Sequence, residues 1–101
     1  MKNFVVIPDS FKGSLSSKEA CLIIESELSK KYPTSKVFTF PVADGGEGTV
    51  DCFLHSIKNS TKIYAKTVDA FLEDLNCYYG CFYDRQNTKT AIIELACCCG
   101  L

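Results

Sequence analysis

Residues 4–7 read Phe-Val-Val-Ile, an uninterrupted apolar run that is followed at once by Pro8 and Asp9. A strand with one face in water alternates apolar and polar side chains, whereas a continuous run is typical of a strand that is buried on both faces. Strands of that kind occur mainly in parallel sheets. The run therefore predicts a buried strand over residues 3–7 that belongs to a parallel sheet.

The segments that follow this strand alternate between helix and strand. Ser16 and Glu19 have the spacing of a capping box, which predicts a helix that begins at Ser17 and ends before a proline. A short strand is predicted over 36–40, and a second helix carries an apolar stripe of Val50, Phe53, Leu54 and Ile57. Because alternating strands and helices form a parallel sheet, residues 1–60 are predicted to be the β-α-β-α start of an α/β domain.

The pattern changes after residue 60, where helical spacing gives way to runs that are typical of strands. These runs cover residues 62–68, 76–83 and 90–95. The turn residues at 84–87 predict that the last two runs pair in an antiparallel manner. We expect residues 61–101 to be a β-rich, incomplete part of a second domain. Since such small sheets make a poor core, we also expect the chain to be truncated.

Composition and charge exclude several classes of protein. The 101 residues carry 11 Lys and Arg against 12 Asp and Glu, and 47% of them are hydrophobic, so the chain should fold. The basic residues are scattered, so DNA or RNA binding is not expected. The apolar run at 4–7 is too short for a signal-peptide core or a membrane span, which favours a cytoplasmic protein without membrane association.

The seven cysteines are too few for a disulfide scaffold, and an odd number leaves one of them unpaired. Cys77 and Cys81 lie four positions apart in a predicted strand, which is beyond the reach of a disulfide. The consecutive residues 97–99 cannot converge on one tetrahedral metal ion. We expect reduced thiols that serve as small apolar side chains, with metal or redox chemistry as the alternative.

The first loop whose residues could take part in binding or catalysis lies at 8–14, between the first strand and the first helix. It reads Pro-Asp-Ser-Phe-Lys-Gly-Ser. Lys12 could neutralise an oxyanion, and backbone N–H groups near the helix start would add positive potential. Asp9 could hold a metal ion or accept a hydroxyl proton. The spacing is not that of a Walker loop. The chemistry alone leaves two alternatives, a phosphate or substrate site and an ordinary solvated loop.

The second loop, Asp-Gly-Gly-Glu-Gly-Thr at 44–49, is a sharper candidate. Three glycines in four positions allow positive φ angles and let a ligand approach the backbone closely. Asp44 and Glu47 could hold Mg²⁺, or Asp44 could act as a base toward a substrate hydroxyl, while the helix N-terminus faces a phosphate or carboxylate. The alternative is a tight turn whose acidic residues are favourably placed at a helix N-terminus.

Glu94 is a lone carboxylate within the apolar run at 91–96. It faces water if that strand is half exposed. If it is buried, the cost of burial implies a partner or a role in a site. The single histidine, His55, lies outside the apolar stripe of the second helix, and no Gly-x-Ser-x-Gly elbow is present, so hydrolase chemistry is not indicated.

The two loops together resemble the N-terminal signatures of the type I glycerate kinase family. The similarity rests on residues 8–15 and 43–49, with 93–96 and 100–101 downstream, and it spans essentially the whole chain. The resemblance implies ATP- and Mg²⁺-dependent phosphorylation of D-glycerate to a phosphoglycerate, with 2-phosphoglycerate as the expected product. It also implies two α/β domains with the active site in the cleft between them, the first of them Rossmann-like and opened by residues 1–60.

The resemblance also implies roles for individual residues. Lys12 and Asp44 would be catalytic, Lys12 by meeting the charge of phosphate or of the glycerate carboxylate, and Asp44 by base or metal chemistry. The substrate- or phosphate-binding residues would be Asp9, Ser10, Gly45, Gly46, Glu47, Gly48 and Thr49. The Mg²⁺ ligands would be Asp44 and Glu47.

Members of this family are several-fold longer than the present chain. We therefore expect the missing C-terminal part of the enzyme to be needed for a complete active site, and the fragment to be inactive alone. Two alternatives from other classes are a non-catalytic module that binds a small ligand or phosphate, and an interaction module derived from the same fold.

Overall fold

A computed structural model describes residues 2–99 of the chain. Its elements, in chain order, are β1 (Asn3–Val6), α1 (Ser17–Lys31), β2 (Lys36–Thr39), α2 (Thr49–Ser56), β3 (Thr61–Val68), β4 (Asp74–Tyr83), β5 (Lys89–Ile92) and α3 (Ala96–Cys99). The predicted β-α-β-α start and the three later strands are thus confirmed. The Gly100-Leu101 pair that contributes to the family resemblance lies outside the described residues.

The chain divides into two compact units, residues 1–44 and residues 45–101. The first unit holds β1, α1 and β2, and the second holds α2, the antiparallel strands and α3. The domain boundary predicted after residue 60 refers to the domains of a longer protein and stays a prediction. None of the helices in the described part of the chain is long and apolar enough to cross a membrane.

The first unit is built on two parallel strands and one helix. β1 and β2 pair in parallel, with Val5 opposite Phe38. The capping box predicted for α1 is present, since the Ser16 hydroxyl accepts a hydrogen bond from the Glu19 backbone N–H at 3.0 Å and the Glu19 carboxylate accepts one from the Ser16 N–H at 3.2 Å. This reciprocal pair sets the start of α1 at Ser17.

The strand β1 is not buried on both faces, contrary to the prediction. Phe4 and Val6 are half-buried, whereas Val5 is 63% exposed and its neighbour Phe38 in β2 is 46% exposed. Burial on both faces requires a layer of structure on each side of the sheet. Residues 2–44 supply one such layer, α1, through its buried side chains Ala20 and Cys21.

The second unit is an antiparallel meander with the strand order β3-β4-β5. α2 packs on β4 at Gly80, where an added Cβ would lie 3.4 Å from the Leu54 side chain and 3.5 Å from that of Val50. Val50 is 1% exposed and is the most completely buried large side chain described, whereas Phe53 is 43% exposed. Val50 and Leu54 of the predicted apolar stripe therefore face β4 of the antiparallel sheet.

The last strand is shorter than the sequence predicts. β5 ends at Ile92 instead of Leu95, and the chain then leaves the sheet and forms the short helix α3. Ile93 and Leu95 are 79% and 71% exposed, while Glu94 between them is buried. The apolar run at 91–96 is therefore a strand only as far as Ile92. The next three residues form the turn into α3, in which Glu94 is buried and its two apolar neighbours are exposed.

The cysteines are only partly as predicted. Cys77 of β4 and Cys97 of α3 form a disulfide, with their Cα atoms 6.1 Å apart. The expectation of reduced thiols is wrong for this pair, because α3 folds back onto β4 and brings together residues that are distant in sequence. Cys21 and Cys81 are buried thiols, as expected of apolar fillers. Burial and, to a smaller extent, the nearby charge of Glu25 raise the pKa of the Cys21 thiol.

Removal of the disulfide should lower the free energy of unfolding by about 3 kcal/mol, because the bond closes a long loop in the unfolded chain. The paired cysteines lie 20 positions apart. Urea denaturation of Cys97→Ser without reductant measures this loss, and reductant should lower the wild-type stability to the same value. Cys98→Ser, which leaves the disulfide intact, is the matched control. Equal stabilities of wild type and Cys97→Ser without reductant would contradict the prediction.

Candidate functional site

The first candidate loop follows β1 at the carboxyl edge of the parallel sheet. Its tip is a tight turn in which the Phe11 carbonyl accepts hydrogen bonds from the N–H groups of Ser14 and Leu15 at 2.9 and 3.0 Å. Gly13 has a φ of 74°, a left-handed conformation that glycine adopts without strain. The turn presents Lys12 to solvent. The first loop is therefore a defined structure with an exposed cation at its tip.

Asp9 and Ser10 lie where the chain leaves β1. One carboxylate oxygen of Asp9 accepts a hydrogen bond from the Ser10 backbone N–H at 2.7 Å. Asp9 itself is exposed, and Ser10 is half-buried. This local bond orients the Asp9 carboxylate at the base of the loop.

A buried serine joins this loop to the segment that follows β2. Ser17, at the start of α1, is 5% exposed. Its hydroxyl donates a hydrogen bond to the Pro8 carbonyl at 2.6 Å and accepts one from the Val42 N–H at 2.9 Å. Pro8 and Val42 each follow a parallel strand, so one side chain fixes the separation of the two connections at this edge of the sheet.

Within the first unit, the structure thus places Asp9, Ser10, Lys12 and Asp44 after the carboxyl ends of neighbouring parallel strands. Asp44 is exposed and lies two residues beyond Val42. Ligands of open α/β sheets bind at this edge. The sequence marked Ser17 only as the first residue of a helix, although its spacing from Ala20 and Cys21 puts it on the apolar stripe of α1. A hydroxyl on that stripe is the signal that could have identified it.

Residues 45–49 of the second candidate loop belong to the second unit and form a tight turn into α2. Gly45 and Gly48 have φ values of 103° and 88°, which confirms the expected use of positive φ angles. The Thr49 N–H and hydroxyl both donate to the Gly46 carbonyl, at 3.2 and 2.8 Å. Glu47 is exposed. The tight turn is observed, and the binding of a ligand by this loop stays a prediction.

The start of α2 is bound by a carboxylate from the far end of the chain. Gly48 is the N-cap residue and offers no side chain. Glu94, 8% exposed, accepts a hydrogen bond from the Val50 N–H at 3.1 Å. Of the two alternatives for Glu94, burial with a partner is therefore the one observed.

A polar cluster that the sequence did not reveal ties α2 to the meander. The Tyr78 hydroxyl donates to Asp51 at 3.0 Å, and the Lys62 ammonium lies 3.8 Å from the Asp51 carboxylate and 4.0 Å from the centre of the Tyr78 ring. Burial, together with the hydrogen bond to Asp51, raises the pKa of Tyr78 to about 12. Tyr78 is therefore a neutral donor at physiological pH.

The chain matches the model of the glycerate kinase family over residues 4–101. It belongs to that family. The resemblance of the two loops to the glycerate kinase signatures is therefore confirmed, and the parallel and antiparallel sheets are the N-terminal part of that family's mixed α/β fold.

Several glycerate kinases are similar to this chain. It is 36% identical over 97 residues to the glycerate 2-kinase of Escherichia coli (strain K12), with 96% of this chain and 24% of the relative covered. It is 38% identical over 99 residues to the glycerate kinase of Haemophilus influenzae, with coverages of 97% and 25%. A crystal structure assigned as glycerate kinase 2 from Salmonella typhimurium LT2 shares 29% identity at a TM-score of 0.72, with coverages of 96% and 25%.

The chain therefore matches an N-terminal portion of these glycerate kinases and spans about a quarter of their length. The family assignment does not depend on the rest of the enzyme, because the match extends over nearly all of the present chain.

The candidate Mg²⁺ ligands of this glycerate kinase segment are compatible with a substrate-bound ion. Among residues 2–99, no group of three or more His, Cys, Asp or Glu side chains is placed to share a metal ion. Kinases commonly hold Mg²⁺ through one or two carboxylates, with water and substrate phosphates as the other ligands. Asp44 in the first unit and Glu47 in the second are each exposed, and each carboxylate offers the type of oxygen donor that such an ion takes.

Ser17→Ala should destabilise the first unit by about 2 kcal/mol, because the Pro8 carbonyl and the Val42 N–H would both lose a buried partner. Urea denaturation measures the loss, and amide hydrogen exchange should show faster exchange at Val42. Ser14→Ala, at an exposed position of the same loop, is the control and should change stability little. A stability of Ser17→Ala within about 0.5 kcal/mol of wild type would contradict this assignment.

Gly48→Ala should lower the free energy of unfolding by about 1–2 kcal/mol, because alanine is strained in the left-handed region. A Cβ at Gly48 would meet no atom within 4 Å, so the backbone conformation is the sole cause of the expected loss. Gly48→Asn is the matched variant and should cost less, since asparagine tolerates this conformation and can cap a helix. Equal losses in the two variants, by urea denaturation, would show that φ is not the cause.

Proposed function

We propose that this chain is the N-terminal part of an enzyme that transfers the γ-phosphoryl group of ATP to a hydroxyl of D-glycerate, with 2-phosphoglycerate as the product. The observation that carries the proposal is the Ser17 bridge, which holds the Pro8 and Val42 connections together at the carboxyl edge of a parallel sheet. That edge is where α/β folds bind their ligands. The family membership supports the reaction class.

Lys12 is the residue that we propose for charge stabilisation. Phosphoryl transfer places negative charge on phosphate oxygens, and glycerate itself is an anion, so both substrates need a nearby cation. The turn at 11–15 presents the Lys12 ammonium to solvent at the ligand edge of the sheet. Asp9 and Ser10 would bind substrate hydroxyl groups or phosphate at the base of the same loop.

Asp44 is the residue that we propose for base or metal chemistry. As a base it would accept the proton of the attacking glycerate hydroxyl, and as a ligand it would hold Mg²⁺ with support from Glu47. The ion would neutralise charge on the phosphates of ATP. Substrate or phosphate would also be bound by Thr49 and by the backbone groups of Gly45, Gly46 and Gly48 in the glycine loop. A cytoplasmic location fits the proposed use of ATP and forms part of this proposal.

A chimera tests the proposal, with residues 1–101 in place of the matching N-terminal portion of Escherichia coli glycerate 2-kinase. The chimera should form ADP in a D-glycerate-dependent reaction, and the 101-residue chain alone should not. Lys12→Ala should lower kcat/KM by about a hundredfold, and Asp44→Asn should abolish most turnover, because each removes charge used in the transition state.

Lys18→Ala is the matched control for Lys12→Ala, since Lys18 is an exposed lysine on α1. Its kcat/KM should stay near that of the parent chimera. Unchanged melting temperatures with reduced kcat/KM would support the site roles of Lys12 and Asp44. Near-normal kcat/KM in both variants would show that the loops are structural and that the site is elsewhere.

A further inference from the structure

The start of α2 needs partners that its own cap cannot provide. The first N–H groups of a helix have no acceptor within the helix, and an N-cap side chain usually supplies one. Here the N-cap is Gly48, and no side chain from the cap bonds to the helix. Thr49 donates its N–H back to the Gly46 carbonyl, and Val50 donates its N–H to Glu94. Glu94 thus replaces the missing cap.

Glu94 is held in place by its own surroundings. It follows β5 by two residues, and β5 pairs with β4 through residues that include Ile92 and Gly80. On its other side, the Cys97 N–H donates to the Glu94 carbonyl at 3.1 Å, and Cys97 is joined to Cys77 of β4. The backbone at Glu94 is therefore fixed to β4 from both directions. Its buried side chain reaches Val50 from a rigid base.

We propose that Glu94 is a positioning residue that sets the conformation of the glycine loop at 45–48, an inference that rests on the proposed function in treating this loop as part of the substrate site. Glycines have little intrinsic preference for one conformation, so a glycine-rich loop requires anchoring at its ends. The Glu94–Val50 hydrogen bond anchors the end that enters α2. The loop conformation, through Gly46 and Thr49, depends on that anchor.

A second consequence concerns where a substrate phosphate binds. A helix N-terminus often serves as an anion site because its N–H groups are free. At the start of α2, the N–H groups of Thr49 and Val50 already have acceptors, and the Val50 acceptor is a carboxylate. Two of the N–H groups at the start of α2 therefore already have acceptors within the protein. The Val50 N–H is therefore used by Glu94, and the backbone of the glycine loop is the part of this segment that would contact substrate.

The experiment uses the ¹⁵N-labelled 101-residue chain and requires no substrate. Amide hydrogen exchange at Val50 and the amide resonances of the loop glycines are compared in wild type, Glu94→Ala and Glu94→Gln. Glu94→Ala should speed Val50 exchange by about tenfold or more and shift the glycine resonances, because the buried acceptor is lost. Glu94→Gln keeps an acceptor oxygen and should leave both readouts close to wild type. Glu73→Ala removes an exposed carboxylate of the same unit and is the control.

Glu94→Asp provides the same test if Glu94→Ala does not fold, since it keeps the carboxylate but withdraws it from Val50 by one methylene. Unchanged Val50 exchange and unchanged glycine resonances in the folded variant would overturn the proposal. The same substitution in the chimera separates the two hypotheses. Altered glycine resonances with unchanged kcat and KM would leave the positioning role intact but remove the loop from the substrate site, which contradicts the proposed function alone.

Discussion

The Ser17 hydroxyl is the contact on which the geometry of the first unit depends. Backbone pairing of β1 and β2 holds the strand ends together up to Val6 and Phe40, but it does not extend to Pro8 and Val42. The hydroxyl links the two connections beyond the strands, because it donates to one at Pro8 and accepts from the other at Val42. A buried hydroxyl with two partners has fully used both its roles, so any change in the separation of the connections breaks a buried hydrogen bond.

The same physical rule organises the second unit. Ser17 and Glu94 are the buried polar side chains among the described residues, and each one bonds to the backbone at a candidate loop or at the helix that follows it. No buried side-chain nitrogen or oxygen within residues 2–99 lacks a hydrogen-bond partner. Because a buried polar group is costly without a partner, the hydrogen bonds of Ser17 and Glu94 fix the backbone segments that they contact. Apolar packing alone would not fix these irregular segments.

Apolar packing, in contrast, is thin in this segment of a glycerate kinase. The side of the parallel sheet that lacks α1 exposes Val5, Ile7, Phe38 and Phe40 by 46–63%. The apolar residues of these strands are typical of a sheet that is covered on both faces. Residues 2–44 contain a covering helix for one face only, α1. In the second unit, a covalent bond adds to the stability that limited burial provides, since the disulfide between Cys77 and Cys97 holds α3 to β4.

Local chemistry in the sequence determined the elements, because capping, proline positions and helical or alternating spacing act over a few residues. Three features were predictable in this way. They are the capping box of Ser16 and Glu19, the parallel pairing in the first half and antiparallel pairing in the second, and the positive φ angles of the glycine loop. The family could also be identified, since its signatures are continuous stretches. Only the tertiary structure decided the exposure of Val5, the partner of Glu94, the Cys77–Cys97 disulfide and the bridging role of Ser17. Each of these depends on which distant segments meet. The position of Ser17 on the apolar stripe of α1 indicates that it is buried, but it does not indicate its partners.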